Sequence, residues 1–267
     1  MSAVPQTIQL PGGQLHFLPI ADSSGCAHLL QHSFSVTAGE QGCDVPLLPG
    51  GHLTLLFPEG DRALLCGPLT AARHLTLAPH QSLFGAQLRC GCGDWLWSES
   101  LRELRDRAAA LEPYLPGCDR LCAAPPRRGT LTEQSDLLVR LCTLRGARQY
   151  QPIPLLRRCL ILIDERGGQL PISELAGHMG CSERYLCRLF HQKVGFSAKT
   201  QCELVQLHLS LHAALTSPSR SLLHLAVACG YFDQAHMNRH YRKFLACGAN
   251  DIRHSGFLPV GTPLLPD

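Results

Sequence analysis

Residues 172–190 read Ile-Ser-Glu-Leu-Ala-Gly-His-Met-Gly-Cys-Ser-Glu-Arg-Tyr-Leu-Cys-Arg-Leu-Phe. About 50 residues further on, residues 222–241 read Leu-Leu-His-Leu-Ala-Val-Ala-Cys-Gly-Tyr-Phe-Asp-Gln-Ala-His-Met-Asn-Arg-His-Tyr. Both stretches follow one physical plan. A short apolar helix carries Leu175-Ala176 or Leu225-Ala226, the small alanine permitting a close helix crossing. Gly180 or Gly230 follows, a residue that enters the left-handed region at little cost and so ends a helix tightly. Ser182 or Asp233 then offers a side-chain oxygen to the free N–H groups of the next helix. That second helix has one apolar face, Leu186, Leu189 and Phe190 in the first copy, Met237 and Tyr241 in the second. Between the apolar positions lie Arg184, Cys187 and Arg188, and then Gln234, His236 and Arg239, which face outward.

A helix, a tight turn and a second helix with an exposed polar face make a helix-turn-helix, and here two occur in tandem, over about 172–195 and 222–245. At this spacing residues 155–256 resemble the DNA-binding domain of the AraC/XylS family. Leu175-Ala176, Gly180, Ser182, Leu186, Arg188-Leu189-Phe190 and Gly195 meet that family's first pattern. Gly230-Tyr231-Phe232-Asp233-Gln234-Ala235-His236, followed by Arg239, meets the second. The resemblance implies a rigid linker helix, for which Cys202–Leu215 fits, holding two recognition helices in successive major-groove segments. Some positions depart from the family: Ala198 and Ala249 stand where proline is usual, Ala246 in place of glycine with Gly248 nearby, and Gln206 in place of arginine. These touch helix starts and backbone contacts, hence affinity more than fold.

The rest of the chain has another texture. Short runs at Gln14–Ile20, His52–Phe57, Ala63–Cys66, His74–Leu77 and Leu83–Leu88 are separated by breaks such as Pro49-Gly50-Gly51 and Gly67-Pro68. They predict a small β-barrel or sandwich. Leu101, Leu104, Ala108 and Leu111 predict a helix over 98–111, and Thr132–Leu144 predicts another; Cys118–Thr130, with Pro125-Pro126-Arg127-Arg128-Gly129, reads as an exposed loop. The fold class is therefore α+β in two domains: a β-rich one over 1–150 with trailing helices, an all-α one over 155–256, and a tail at 257–267. Pro49-Gly50-Gly51, Gly67-Pro68 and Phe84–Arg89 also resemble the sensor domain of one subgroup of these regulators, with Arg89-Cys90-Gly91 where Arg-Pro-Gly is expected. That resemblance implies a small-molecule effector or a homodimer.

Charge divides along the same line. Residues 1–154 hold 12 Lys/Arg against 13 Asp/Glu, and residues 155–256 hold 12 against 7, with eight of the fourteen histidines. A basic C-terminal part suits an anionic partner. No apolar run approaches the roughly 18 residues of a membrane span. The first 18 residues lack a basic start and apolar stretch, so a cytoplasmic chain is expected. The fourteen cysteines are scattered without a C-x-x-C pair; most are expected to be small buried hydrophobes.

The expected function is sequence-specific binding of double-stranded DNA in transcription regulation, with RNA polymerase as the second partner the resemblance implies. The DNA-contacting set is Ser182, Arg184, Cys187, Arg188, Lys193, Gln234, His236, Arg239, Arg242 and Lys243. Arg184, Arg188, Gln234, His236 and Arg239 are placed for base edges; Lys193, Arg242 and Lys243 lie toward helix ends, nearer phosphates. An alternative keeps the DNA but makes the sensor a thiol or soft-metal site at Cys90-Gly-Cys92, followed by Trp95 and Trp97. A β-barrel enzyme is disfavoured, because His16, His28, His32, His52, His74 and His80 form no His-x-His and no nucleophile elbow or phosphate loop occurs. No catalytic residue, metal ligand or cofactor is assigned.

Overall fold

A computed structural model describes residues 6–123, 131–217 and 219–255. The Pro125–Gly129 stretch and the tail at 257–267 lie outside the described residues.

Among the described residues, the N-terminal half is built on nine strands. They are β1 (Gln6–Leu10), β2 (Gly13–Pro19), β3 (Leu30–Ala38), β4 (Cys43–Leu47), β5 (Thr54–Pro58), β6 (Leu64–Cys66), β7 (Arg73–Leu77), β8 (Ser82–Leu88) and β9 (Ala108–Ala110). Seven make one antiparallel sheet in the order β1-β2-β3-β8-β5-β6-β9, and β4 pairs with β7 as a separate ribbon. The ribbon covers one face of the sheet: Leu15, Phe34, Val36, Leu56 and Leu83 pack with Val45 and Leu77. The other face carries Leu55, Phe57, Phe84, Ala86 and Leu88, and it is covered by the segment 92–122 and by α3 (Leu131–Leu144). β8 is thus buried along its whole length. A strand buried on both faces needs a continuous apolar run rather than alternation. Phe57 stacks on Phe84 at 5.4 Å between centroids, and each such ring contributes roughly 1.5–3 kcal/mol by burial.

Three local expectations need correction. The helix expected over 98–111 lasts one turn, α1 (Leu101–Leu104), because Asp106 enters the left-handed region at φ 58°. Its carboxylate accepts from the Thr70 N–H (2.7 Å) and Thr70 Oγ1 (2.6 Å), which repays the strained turn. Ala108–Ala110 then pairs with β6 as an edge strand. The loop expected at 118–130 begins instead with a short helix, α2 (Asp119–Ala123). The strand reading also omitted β1, β3 and β4.

From Ile153 onward the described chain is helical: α4 (Pro154–Glu165), α5 (Ile172–Met179), α6 (Glu183–Lys193), α7 (Ala198–Thr216), α8 (Leu222–Ala228), α9 (Gln234–Leu245) and α10 (Ala249–Ser255). Their apolar faces meet in one core around Leu175, Leu186, Phe190, Leu207, Leu211, Tyr241 and Phe244. Leu48, Ala72 and Cys90 of the β-rich half pack into that same core, so the two halves are in direct contact. No helix among the described residues is long and apolar enough to cross a membrane.

Candidate nucleic-acid interface

The first unit is α5, a turn, and α6. Gly180 takes φ 64° and closes α5 through its N–H to the Gly177 and Ala176 carbonyls. Ser182 then caps α6, its Oγ accepting from the Tyr185 N–H at 3.2 Å. The second unit repeats this with α8, Gly230 at φ 76°, and Asp233, whose Oδ1 accepts from the His236 N–H at 2.6 Å. Each cap stabilises its helix by about 1 kcal/mol and fixes where the helix starts. Between them stands α7, 19 residues long and so about 28 Å from end to end. It is capped by Ser197, which accepts from the Thr200 N–H at 3.1 Å.

Gln206, the departure in the middle of α7, is buried. Its Nε2 donates to the Cys229 carbonyl at the end of α8 (3.0 Å), so this glutamine ties the linker helix to the second unit. Ser210 Oγ lies 3.4 Å from the buried Tyr231 hydroxyl, a second tie. Ala246 adopts φ 59° and ends α9 as a glycine would, at the strain cost of a Cβ in that region.

The residues expected to meet DNA divide into three groups. Ser182, Arg184, Cys187 and Arg188 are exposed on α6, and Arg239 and Arg242 are exposed on α9. Arg188 lies over the Tyr185 ring at 5.5 Å, which presents the guanidinium in a held position. Gln234 and His236 are half-buried. The His236 ring is held by aromatic contacts with Tyr231 and His240, and its Nδ1 accepts from the Phe232 N–H at 3.4 Å. The third group is already paired. Lys193 Nζ sits 3.2 Å from Asp94 of the β-rich half, and Lys243 pairs with Glu203 on α7 and lies 4.5 Å from the centroid of the Phe244 ring. Tyr185, 40% exposed and stacked under Arg188, lies outside the expected set. It precedes Leu186, and one position off the apolar stripe is where an outward aromatic belongs.

Other contacts join the halves. Ser100 Oγ lies 3.5 Å from the His191 carbonyl, and the Ala72 N–H donates to the Phe244 carbonyl at 2.7 Å; within the β-rich half, the Tyr150 hydroxyl donates to Asp94 at 2.6 Å. Gly195, at φ 91°, brings the end of the first unit so close that a Cβ there would lie 2.9 Å from Pro68 and 3.1 Å from the Leu101 carbonyl.

The structure gives the thiol alternative no support at Cys90 and Cys92. Cys92 is buried, and Cys90 lies between the halves with its Sγ 3.9 Å from Gln201 Oε1. Burial pushes the Cys90 thiol far up and the Cys92 thiol up to about 11. A sensor needs an accessible thiol with a lowered pKa, and neither has one.

Residues 175–255 match the family model described as a helix-turn-helix domain. They form a helix-turn-helix domain with two units in tandem. Among solved structures, the C-terminal domain of AraT, a response regulator from Geobacillus stearothermophilus, is similar at 20% identity and a TM-score of 0.37, over 41% of this chain and 92% of that one. ToxT from Vibrio cholerae is similar at 7% identity and a TM-score of 0.45, over 94% of this chain and 98% of that one. ToxT with bound unsaturated fatty acid gives 9% identity and a TM-score of 0.42, over 92% and 96%. A search of curated proteins finds no match.

Proposed function

We propose that this chain reads two successive major-groove segments of duplex DNA, α6 in one and α9 in the next, under the control of its β-rich half. The observation that carries this reading is the pair of capped, outward-facing helices held on one linker helix, with Arg184 and Arg188 on the first and Arg239 and Arg242 on the second. Arginine makes bidentate bonds to guanine, and losing one costs about 1–3 kcal/mol and relaxes preference at one base position. Arg188 is assigned to a base and Arg242 to a phosphate.

Control is assigned to the contact between the halves, because the β-rich half touches α6, α7 and the end of α9 together. An effector acts on that contact. The space among Phe34, Leu47, Leu48, His52, Thr54, Leu69 and Gln87 inside the β-rich half is only about 10 Å³, room for one water, so a small molecule entering there has to displace side chains such as Leu48 that also touch the helical core. A second copy of the chain and RNA polymerase complete the proposed partners.

The test is a salt series of binding curves on a duplex obtained by in vitro selection and on a scrambled one. Arg188→Ala loses affinity on the selected duplex alone, about tenfold or more. Arg242→Ala loses it on both and flattens the salt slope by about one counterion. Equal losses for Arg188→Ala on both duplexes overturn its assignment.

A further inference from the structure

The β-rich half carries a basic groove that the helix-turn-helix units do not account for. It is open, holds about 580 Å³, and is lined by Arg102, Glu103, Arg105, Asp106 and Arg107. Its three arginines outnumber its two carboxylates, and Asp106, which also accepts from Thr70, makes only a loose ion pair with Arg105 at 3.9 Å, so a positive excess remains. Arg102 and Arg107 are exposed, and 36% of the Arg105 side chain reaches solvent.

The position of this groove gives it meaning. Arg184, Arg188 and His191 are spaced i, i+4, i+7, so they form one stripe along α6. At the far end of that stripe α1 packs against α6: Ser100 Oγ is 3.5 Å from the His191 carbonyl, and Gly195 abuts the Leu101 carbonyl. Burial, then the charges of Arg102 and Arg105, lower the His191 pKa, so these two arginines lie near enough to the end of the stripe to act on it electrostatically. The arginines of α6 and those of α1 are therefore two cationic patches on packed helices, with the half-buried, neutral His191 between them. Duplex DNA presents one phosphate charge per roughly 1.7 Å of axis, and a second cationic patch beyond the end of a recognition helix is placed for the backbone flanking its groove segment.

We propose that Arg102, Arg105 and Arg107 extend the DNA-contact surface of the first unit onto the β-rich half by binding phosphates beside the first recognition segment. This rests on the DNA-reading role of α6 and adds a contact made by the other half. It also gives the β-rich half a direct hold on affinity, since any shift of α1 relative to α6 moves these phosphate ligands.

The experiment uses the full chain with a selected duplex of about 40 base pairs and the same duplex trimmed to the two recognition segments. The double variant Arg102→Gln/Arg105→Gln binds the long duplex about tenfold more weakly near 0.1 M salt, and the slope of log affinity against log salt falls by about 1.8. On the trimmed duplex it stays within about twofold of the parent, because the flanking phosphates are gone. Glu103→Gln, which removes a negative charge from the groove, tightens binding to the long duplex. Unchanged binding on both duplexes, equal loss on both, or tighter binding by the arginine variant each overturn the proposal. Arg188→Ala is measured alongside: if it leaves both duplexes unaffected, the reading of α6 fails, whatever the α1 variants do.

Discussion

His208 on α7 and His52, just before β5, lie near enough to act on each other electrostatically where the two halves join, and acidification should act on them first. Part of each residue reaches the surface, yet His208 Nε2 is shut off from solvent and has no partner. Burial lowers His208 to about 4, against a hydrogen bond to the Pro49 backbone that works the other way. Burial, then the nearby His208 and His32, lowers His52 to about 3. His32, on β3 beside Arg89, is lowered to about 4 by burial and that arginine, and its Nε2 is enclosed without a partner. All three are neutral in the folded chain and titrate near 6.5 once unfolded. A lowered folded pKa leaves the stability intact above 6.5, and it is lost as pH falls from there toward about 4, while only the unfolded chain gains protons. At pH 5.5, one unit below the unfolded value, keeping one histidine neutral costs about 1.4 kcal/mol, so three cost about 4 kcal/mol. For a chain of this size that lowers Tm by about 10 °C between pH 7.5 and 5.5.

The assay is thermal unfolding across that range, followed by the fluorescence of Trp95 and Trp97, for the parent and for His208→Gln. The variant has its own stability at pH 7.5, so the readout is the slope: its loss between pH 7.5 and 5.5 should be smaller by about 1.4 kcal/mol, about a third. Asp164, pushed up to about 6 by burial although the residue keeps solvent contact, works in the opposite direction. His191 and His240 are also lowered. These groups are common to both chains and cancel in the difference. Parallel pH profiles for parent and variant refute the reasoning.

Asp233→Ala removes the cap of α9 and should cost about 1 kcal/mol, seen as a Tm lower by about 2–4 °C. Gln206→Ala breaks the bond to the Cys229 carbonyl and leaves that acceptor short of a partner, costing about 1–3 kcal/mol in the same measurement. Native alkylation mapped by peptide mass should label Cys187, the exposed thiol on α6, well before Cys90 or Cys92. Asp94→Asn removes the charge that holds Lys193; with that lysine released toward the backbone, the salt slope of DNA binding should steepen by about one counterion.

What the sequence made legible was whatever local periodicity dictates. The helical apolar stripes, Gly180 and Gly230, and the caps Ser182 and Asp233 all act within one or two turns, so the two units could be placed before any tertiary contact was known. β3 escaped because Leu30–Ala38 buries His32, Ser33 and Ser35 among its apolar residues, blurring both patterns a strand can show. The helix expected over 98–111 fails at Asp106, whose backbone is set by Thr70, 36 residues away. The site divides in the same manner. That Arg184 and Arg188 face outward follows from their own helix, but that Lys193 is held by Asp94 follows from a partner 99 residues distant. These long-range contacts are the ones that couple the halves. Lys193, His191, Gly195, His208 and Phe244 each belong to the helical half, and each meets a residue of the β-rich half. The features that place DNA are therefore local in sequence, whereas the features able to regulate DNA binding are the nonlocal ones. A substitution at Asp94, Ser100 or His52 should accordingly change how binding responds to conditions while leaving base preference intact, since none of these residues lies on the outward faces of α6 and α9.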